Sequence, residues 1–228
     1  MKIKINRLKI HPTPATLAVG LLAAALAVCS LGAASSGGPA GSSAMPAKGD
    51  ATIVLAGGCF WGMEGVFEQL KGVSSVVSGY SGGGKSTAHY EIVSTGLTGH
   101  AESVQVSYDP SKITLDQILK VYFTVAHDPT QLNRQDPDSG SQYRSAIFYA
   151  TPAEKKAAQT MIAQLERTKA FRDPVVTQLV PLTAFYPAEG YHQHFMARNP
   201  SYPYIVAYDK PKLEQLRRKF PELVKPTP

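Results

Sequence analysis

Gly57-Gly58-Cys59-Phe60-Trp61-Gly62 is the stretch of this chain that decides its fold. The apolar run from 52 to 56 before it predicts a short strand, and the two glycines interrupt that strand. Apolar residues then recur at helical spacing from Phe60 to Leu70, and Lys71-Gly72 predicts where the helix stops. Cys59 therefore stands at the beginning of a helix.

The position of Cys59 predicts a reactive thiol. The unpaired N–H groups and the positive end of a helix dipole stabilise a thiolate, so we expect a lowered pKa. Phe60 and Trp61 place aromatic surface beside the sulfur, where a small apolar group would bind. The alternative interpretation is that Cys59 is an inert core residue, as many cysteines outside disulfides are.

Length and charge restrict the classes of protein to consider. The 228 residues suffice for one ordinary domain and a leader. The net charge is +6, but Lys2, Lys4, Arg7 and Lys9 supply four of these charges, and no acidic residue precedes Asp50. The remainder carries little excess charge, so no nucleic acid partner is predicted.

The N-terminus has the order of segments that is typical of a secretory signal peptide. A basic start is followed by an apolar run and small residues, so residues 1–34 are interpreted as a signal peptide or an uncleaved anchor. Residues 35–50 predict a flexible linker and residues 51–228 the catalytic domain. We expect export to the bacterial periplasm or cell envelope, with membrane contact only through an uncleaved leader. Lipid modification of Cys29 is an alternative, and without the leader Cys59 is the only cysteine.

A second candidate residue lies in the strand predicted over residues 101–108. Alternation places Glu102 on the same face as Val104, Val106 and Tyr108. Burial raises the pKa of a carboxyl group, so Glu102 would keep its proton near neutral pH and act as a general acid. The alternative is a glutamate that turns back to solvent at the end of the strand.

Residues 79–86 satisfy the phosphate-loop pattern G-x-x-x-x-G-K-[ST], which raises the alternative of a nucleotide-binding protein that uses Lys85. A phosphate loop requires a helix that begins at its Lys-Ser pair. The chain instead continues into a stretch around Tyr90, Ile92 and Val93 that predicts strand and turn. We therefore interpret the loop as a surface loop.

The rest of the chain predicts alternating helices and strands. Thr114 and Gln117 predict a capping box, and Thr151-Pro152 predicts the start of a long helix. Further predictions are a polar loop over 127–142, strands over 143–149 and 175–180, a short helix within 188–198, an edge strand over 204–208 and a helix from 213 to 220. His192 and His194 are two residues apart and would face differently on a helix, so they predict no metal site.

These features together resemble the A-type peptide-methionine sulfoxide reductases. The resemblance covers residues 52 to about 224 and begins with Gly58-Cys59-Phe60-Trp61-Gly62. The further matching motifs are Gly79-Tyr80, Tyr90, Thr98-Gly99-His100-Ala101-Glu102, Tyr108-Asp109-Pro110, His127-Asp128-Pro129-Thr130, Gln142-Tyr143-Arg144-Ser145 and His192-Gln193. Agreement in many separate blocks is more specific than any single pattern.

The resemblance implies a single α+β domain, a two-layer sandwich around a mixed sheet with a ferredoxin-like core. It implies reduction of the S epimer of methionine sulfoxide, free or in oxidised proteins, with no bound cofactor or metal. Cys59 would be the nucleophile and Glu102 the acid. Tyr90 and Tyr143 would bind the sulfoxide oxygen. The other implied site residues are Asp138, Phe60 and Trp61 against the methyl group, and His192.

One departure from the family concerns the reductant. Many members carry further cysteines in a C-terminal tail, but this chain has none after Cys59. Its sulfenic acid would therefore await an external thiol, such as a thioredoxin-like protein. Two other classes stay open at this stage: a cysteine hydrolase that pairs Cys59 with His192, and a binding lipoprotein without chemistry.

Overall fold

The computed structural model describes residues 49–226, which lie within one compact unit of the chain, residues 39–228. The predicted leader with Cys29 lies outside the described residues, as does the linker up to residue 48. None of the helices formed by residues 49–226 is long and apolar enough to span a bilayer.

The described residues form eight strands and six α-helices. The strands are β1 (Ala51–Ala56), β2 (Val73–Ser81), β3 (Ala101–Tyr108), β4 (Arg134–Gln135), β5 (Asp138–Ser139), β6 (Ala146–Tyr149), β7 (Gln178–Pro181) and β8 (Phe185–Pro187). The helices are α1 (Phe60–Glu68), α2 (Tyr90–Val93), α3 (Leu115–Val121), α4 (Pro152–Arg167), α5 (Phe195–Arg198) and α6 (Lys210–Lys219). Short 3-10 turns occupy Lys85–Thr87, Ser141–Tyr143 and Pro221–Leu223, and π-helical turns occupy Tyr122–Ala126 and Ile205–Asp209.

Six strands form one mixed sheet in the order β7-β6-β1-β3-β2-β8, and β4 pairs with β5 in a separate hairpin. All neighbours in the large sheet are antiparallel except β6 and β7, which are parallel. This architecture confirms an α+β domain with a mixed sheet. The central strands β1 and β3 place the start of α1 beside Glu102.

The sheet buries apolar side chains on both faces. Ile53 and Leu55 of β1 join the main core with Phe67 of α1. Val54 and Ala56 point to the opposite face, into a smaller cluster that includes Phe148. Successive side chains of β1 point to opposite faces, and both faces are buried. This explains why the sequence of this central strand is a continuous apolar run.

Several helix boundaries confirm the predictions. The Thr114 hydroxyl accepts the backbone N–H of Gln117, and the Gln117 side chain accepts the N–H of Thr114, which completes the capping box of α3. The Thr151 hydroxyl caps α4 by accepting the N–H of Glu154, without the reciprocal bond of a capping box. These interactions are local, so the sequence alone specifies them.

Two predicted strands are wrong. Residues 90–93 form α2, whose first N–H is accepted by the carboxylate of Glu189, a residue distant in sequence. Residues 205–209 form a π-helical turn that leads into α6. Ile205 and Asp209 are its buried residues, and their separation of four is helical rather than extended.

Three other predictions differ at their boundaries. The strand predicted over 175–180 is β7, Gln178–Pro181, and the strand predicted over 143–149 begins at Ala146 after a 3-10 turn. Within 188–198 only Phe195–Arg198 is helical, so His192 lies in the turn before α5. Long-range hydrogen bonds hold these segments, so a local pattern could not fix their limits.

Candidate active site

The site begins at the junction of β1 and α1. Gly58 has a φ of +90°, a conformation that glycine adopts readily. A Cβ atom at this position would lie 2.6 Å from Cγ of Gln135. The side chain of Gln135 is itself fixed, because its amide accepts the N–H of Asp128 and donates to the carbonyl of the same residue. Cys59 then occupies the N-cap position of α1 and is partly exposed.

The prediction that Cys59 has a lowered pKa is wrong. Burial raises its pKa well above the ordinary value, and the negative charges of Glu102 and Asp209 raise it further. A hydrogen bond with the backbone N–H of Trp61 opposes this shift without reversing it. The helix N-terminus is present as predicted, but burial, together with the nearby carboxyl groups, outweighs its effect on the pKa, so the resting sulfur carries its proton.

Glu102 is buried, as predicted, with only 2% of its surface exposed. Its Oε2 atom accepts the backbone N–H of Phe60 at 3.1 Å, which joins the start of β3 to the first residue of α1. Burial raises the pKa of Glu102 to about 8, and the hydrogen bond from Phe60 only partly offsets this effect. A protonated carboxyl group therefore lies beside Cys59 near neutral pH.

Tyr90 and Tyr143 both lie close enough to Glu102 and Cys59 to interact with their charges. Burial, Glu102 and Cys59 raise the pKa of Tyr90 to about 12, and burial, Glu102 and Asp138 raise that of Tyr143. Both tyrosines therefore keep their protons, so each hydroxyl can donate a hydrogen bond. Neither hydroxyl donates to another group among residues 49–226, so both are available to a ligand.

Three side chains hold these tyrosines in place. Glu189 accepts the backbone N–H of Tyr90 at 3.0 Å and the hydroxyl of Tyr80 at 2.8 Å. Arg144 donates to the carbonyls of Gly99 and His100, which lie just before β3. Gln142 donates to the carbonyl of Ser94, so the Tyr143 turn is tied to the segment that follows α2.

Asp138 reaches the site together with a residue that the sequence did not indicate. The Tyr204 hydroxyl donates a short hydrogen bond to Oδ2 of Asp138. Burial raises the pKa of Asp138, and the hydrogen bond from Tyr204 opposes this shift. Burial and the charge of Cys59 raise the pKa of Tyr204 in turn, so the Tyr204 hydroxyl stays protonated at this edge of the site.

The aromatic part of the site is formed by α1 and the turn before α5. Nε1 of Trp61 donates to Nδ1 of His192 at 3.1 Å, and the Trp61 ring stacks on Phe195 with centroids 3.8 Å apart. The buried His192 ring also contacts Phe60 and Tyr90. Burial lowers the pKa of His192, so its imidazole is neutral.

The structure thus brings together all eight residues that the sequence indicated, and it adds three. Tyr204, Glu189 and Asp209 belong to the C-terminal third of the chain, where no motif marked them. Asp209 is fully buried, packs against Gly62 of α1 and accepts a hydrogen bond from Lys212. The sequence offers one signal for Asp209, namely its position four residues after the apolar Ile205. This spacing places the two side chains on one face only if the segment is helical, and the segment was predicted to be a strand.

Two alternative interpretations conflict with this geometry. Residues 79–81 belong to β2, and Lys85–Thr87 form a single 3-10 turn rather than the helix that a phosphate loop requires. His192 accepts its hydrogen bond from Trp61, and no hydrogen bond among residues 49–226 joins it to Cys59. Residues 79–87 therefore lack the helix of a nucleotide site, and Cys59 and His192 do not form a hydrogen-bonded pair.

Comparison with known proteins gives the same family from sequence and from structure. The family described as peptide methionine sulfoxide reductase matches residues 51–224. Peptide methionine sulfoxide reductase MsrA 2 of Mesorhizobium japonicum is 56% identical over 182 residues, which are 80% of this chain and 93% of that protein. The protein of the same description from Synechocystis is 50% identical over 179 residues, 78% of this chain and 84% of that protein.

Solved structures agree with this assignment. Mxr1 from Saccharomyces cerevisiae in reduced form superposes with a TM-score of 0.61 at 34% identity, over 67% of this chain and 87% of that chain. Methionine sulfoxide reductase A of Corynebacterium diphtheriae gives a TM-score of 0.58 at 35% identity, over 67% and 76%. The chain belongs to the MsrA family of peptide methionine sulfoxide reductases.

Proposed function

We propose that this enzyme reduces the S epimer of methionine sulfoxide, free or within proteins, by attack of Cys59 on the sulfoxide sulfur, and so repairs oxidised proteins. One observation carries this proposal: a carboxyl group with a pKa of about 8, Glu102, is bonded to the N–H of the residue that follows Cys59. A sulfoxide oxygen leaves only when it is protonated, and this group is protonated near neutral pH.

Substrate binding would use the groups around Cys59. The methyl group of the sulfoxide would pack against Phe60 and Trp61. The oxygen would accept hydrogen bonds from the free hydroxyls of Tyr90 and Tyr143, close to Glu102. Asp138, which accepts a hydrogen bond from Tyr204, would be a polar neighbour of the substrate. His192, which accepts a hydrogen bond from Trp61, would be an aromatic neighbour.

The chemical step transfers one oxygen atom between two sulfurs. Sγ of Cys59 forms a bond to the sulfoxide sulfur while Glu102 gives its proton to the oxygen, and the thiol proton restores the Glu102 carboxyl. The hydroxyl then moves to Sγ, the bond between the two sulfurs breaks, and methionine leaves with the electron pair. The methionine sulfur is reduced and Cys59 is oxidised to a sulfenic acid.

Regeneration of Cys59 requires two thiols from outside the catalytic domain, because this chain has no cysteine after residue 59. The first external thiol forms a mixed disulfide with Cys59 and releases water. The second thiol attacks that disulfide and returns the free cysteine. A dithiol protein of the thioredoxin-like class supplies both thiols in one encounter, so we propose a partner of this type.

The proposed cellular compartment of the reaction rests on the sequence of residues 1–50 alone. We propose that residues 1–34 direct the catalytic domain, residues 51–228, across the bacterial inner membrane, with residues 35–50 as a linker. Fractionation of cells that produce the full chain, followed by N-terminal sequencing, tests this proposal. Recovery in the cytoplasm with an intact leader would contradict it.

We also propose a two-layer, ferredoxin-like core. The order β6-β1-β3-β2, with α1 between β1 and β2 and α3 between β3 and β6, supports this assignment. The main core, which lies between these helices and one face of the sheet, supports the two layers.

Single-turnover reduction of the two epimers of N-acetylmethionine sulfoxide by the full chain tests the proposed reaction. We expect loss of the Cys59 thiol in proportion to the methionine formed, with the S epimer only, and none in Cys59→Ser. Thiol titration of Cys59→Ser corrects for Cys29. If folded and reduced protein consumed neither epimer, or consumed the R epimer equally, the proposal would be wrong.

A further inference from the structure

A cluster of three potential metal ligands lies on α1, away from the catalytic thiol. Glu64 and Glu68 are one helical turn apart and therefore project from the same face. His194, immediately before α5, approaches both of them: its Nδ1 lies 3.9 Å from Oε1 of Glu64 and is hydrogen-bonded to Oε1 of Glu68. One ligand atom from each residue lies within 4.8 Å of the other two.

Glu64 is the residue that points to a ligand. Its side chain is 1% exposed, and neither carboxylate oxygen has a hydrogen-bond partner among residues 49–226. The Ser78 hydroxyl and the His194 backbone lie beside it, but neither completes a hydrogen bond with it. Buried carboxyl groups normally have a hydrogen-bond partner or bind a metal ion, and Glu102, for comparison, accepts the N–H of Phe60.

We propose that Glu64, Glu68 and His194 bind one divalent zinc ion. Two carboxylate oxygens and one imidazole nitrogen suit zinc, whereas magnesium and calcium prefer oxygen ligands alone. Bonds of about 2.0 to 2.1 Å in a tetrahedral site place neighbouring ligand atoms about 3.3 Å apart. The side chains of Glu68 and His194 are 24% and 49% exposed, so they are free to move the short distance that closes the site.

The ion would join two parts of the domain. Glu64 and Glu68 belong to α1, which carries Cys59 at its start, and His194 lies two residues after His192. A metal at this position would fasten the turn before α5 to α1. It would act as a structural clamp that contacts no substrate. The opposing interpretation is that the contacts of His194 with the two glutamates hold this turn without a metal ion.

Calorimetric titration with zinc chloride tests this proposal. The protein is the full chain with Cys29→Ser and Cys59→Ser, because thiolates also bind zinc, and it is first freed of metal by a chelator. The variants Glu64→Gln, Glu68→Gln and His194→Ala are added singly. Glu214→Gln and His89→Ala, at exposed positions outside the cluster, are the matched controls.

We expect one zinc ion per chain, with an affinity that falls at least about tenfold in each of the three variants and stays unchanged in both controls. Zinc should also raise the melting temperature of the parent protein but not that of His194→Ala. Equal binding by the parent and His194→Ala, or no binding by the parent, would overturn the proposal. If Glu64→Gln failed to fold, the less buried positions Glu68 and His194 would decide the question.

Discussion

The two walls of the active site are built in different ways. The N-terminal wall consists of residues 57–61 together with Glu102. Its parts are a strand end, a glycine turn, a helix start and one hydrogen bond between Phe60 and Glu102. The C-terminal wall consists of residues 188–209, which contain only the four-residue helix α5 and a π-helical turn.

Long-range side-chain hydrogen bonds hold the C-terminal wall. Glu189 binds Tyr80 and Tyr90, Gln193 binds the backbone of Ser78, and Tyr204 binds Asp138. Backbone geometry therefore fixes the reacting groups, while side chains from distant segments fix the groups that surround the substrate. Substitutions in the N-terminal wall should therefore cause large losses of the reaction rate or of the free energy of unfolding. Substitutions in the C-terminal wall should cause smaller losses of the same quantities.

Glu102→Gln should give the largest effect on the N-terminal wall. Glutamine keeps an oxygen that accepts the N–H of Phe60 but has no acidic proton, so we expect the single-turnover rate to fall roughly 10²- to 10⁴-fold. Rapid-quench measurement with the S epimer provides the rate. A decrease of less than about threefold would mean that another group protonates the sulfoxide.

The same variant should be more stable than the parent at high pH. The raised pKa means that folded Glu102 keeps its proton up to about pH 8, whereas the unfolded chain loses it near pH 4.5. The folded state then binds more protons, so this group lowers the free energy of unfolding by about 1.4 kcal/mol per pH unit between these values. Urea unfolding at pH 5 and pH 8 should show the stability difference between variant and parent growing with pH. An equal difference at both pH values would show that Glu102 is ionised in the fold.

Gly58→Ala should destabilise the turn on which the N-terminal wall depends. The positive φ and the contact with Gln135 both penalise a Cβ atom, so we expect a loss of roughly 2 to 4 kcal/mol in the free energy of unfolding. Gly84→Ala is the control, because Gly84 has a φ of −87° and no atom within 4 Å of its added Cβ. Equal urea midpoints for the two variants would contradict this account of the turn.

The two walls also differ in how far the sequence predicts them. The glycines, Cys59, the helix period and the alternation around Glu102 are local signals, and the structure has the strand, the helix and the buried glutamate that they predict. The raised pKa of Cys59 was not predictable, because it comes mainly from burial by the folded chain and then from the charges of Glu102 and Asp209, which lie in other segments.

In the C-terminal wall the local pattern was misleading. Residues 204–208 predicted an edge strand, although Ile205 and Asp209 are buried at helical spacing. Family resemblance located His192, but it did not indicate Tyr204 or Glu189. Their roles depend on hydrogen-bond partners that lie 66 and 99 residues away in sequence. A local sequence pattern, which extends over about 20 residues, cannot include both members of such a pair.

Gln193→Ala should loosen the C-terminal wall without changing the reacting groups. The Gln193 amide accepts the N–H of Ser78 and donates to the carbonyls of Ser78 and Ala188, all within 3.0 Å. The Ser78 carbonyl keeps the N–H of Ala188, but the N–H of Ser78 loses its acceptor, so we expect about 2 kcal/mol less stability in urea unfolding. Gln159→Ala, on an exposed part of α4, should change stability by less than about 0.5 kcal/mol. If both variants lost the same stability, side-chain hydrogen bonds would not be what holds this wall.

Tyr204→Phe should give the smallest of these effects and should separate positioning from packing. Phenylalanine keeps the ring but removes the hydroxyl that donates to Asp138, so this partly buried carboxyl group loses its donor near Cys59. A hydrogen bond to a charged group contributes about 1.5 to 3 kcal/mol, and part of that loss is recovered by water in this partly open site. We expect kcat/KM for the S epimer to fall about tenfold, which corresponds to about 1.4 kcal/mol.

Tyr208→Phe is the matched control, because Tyr208 is exposed and its hydroxyl has no partner among residues 49–226. If Tyr204→Phe behaved like this control, the C-terminal wall would act through its aromatic surface alone, and the bond to Asp138 would have no part in binding the sulfoxide.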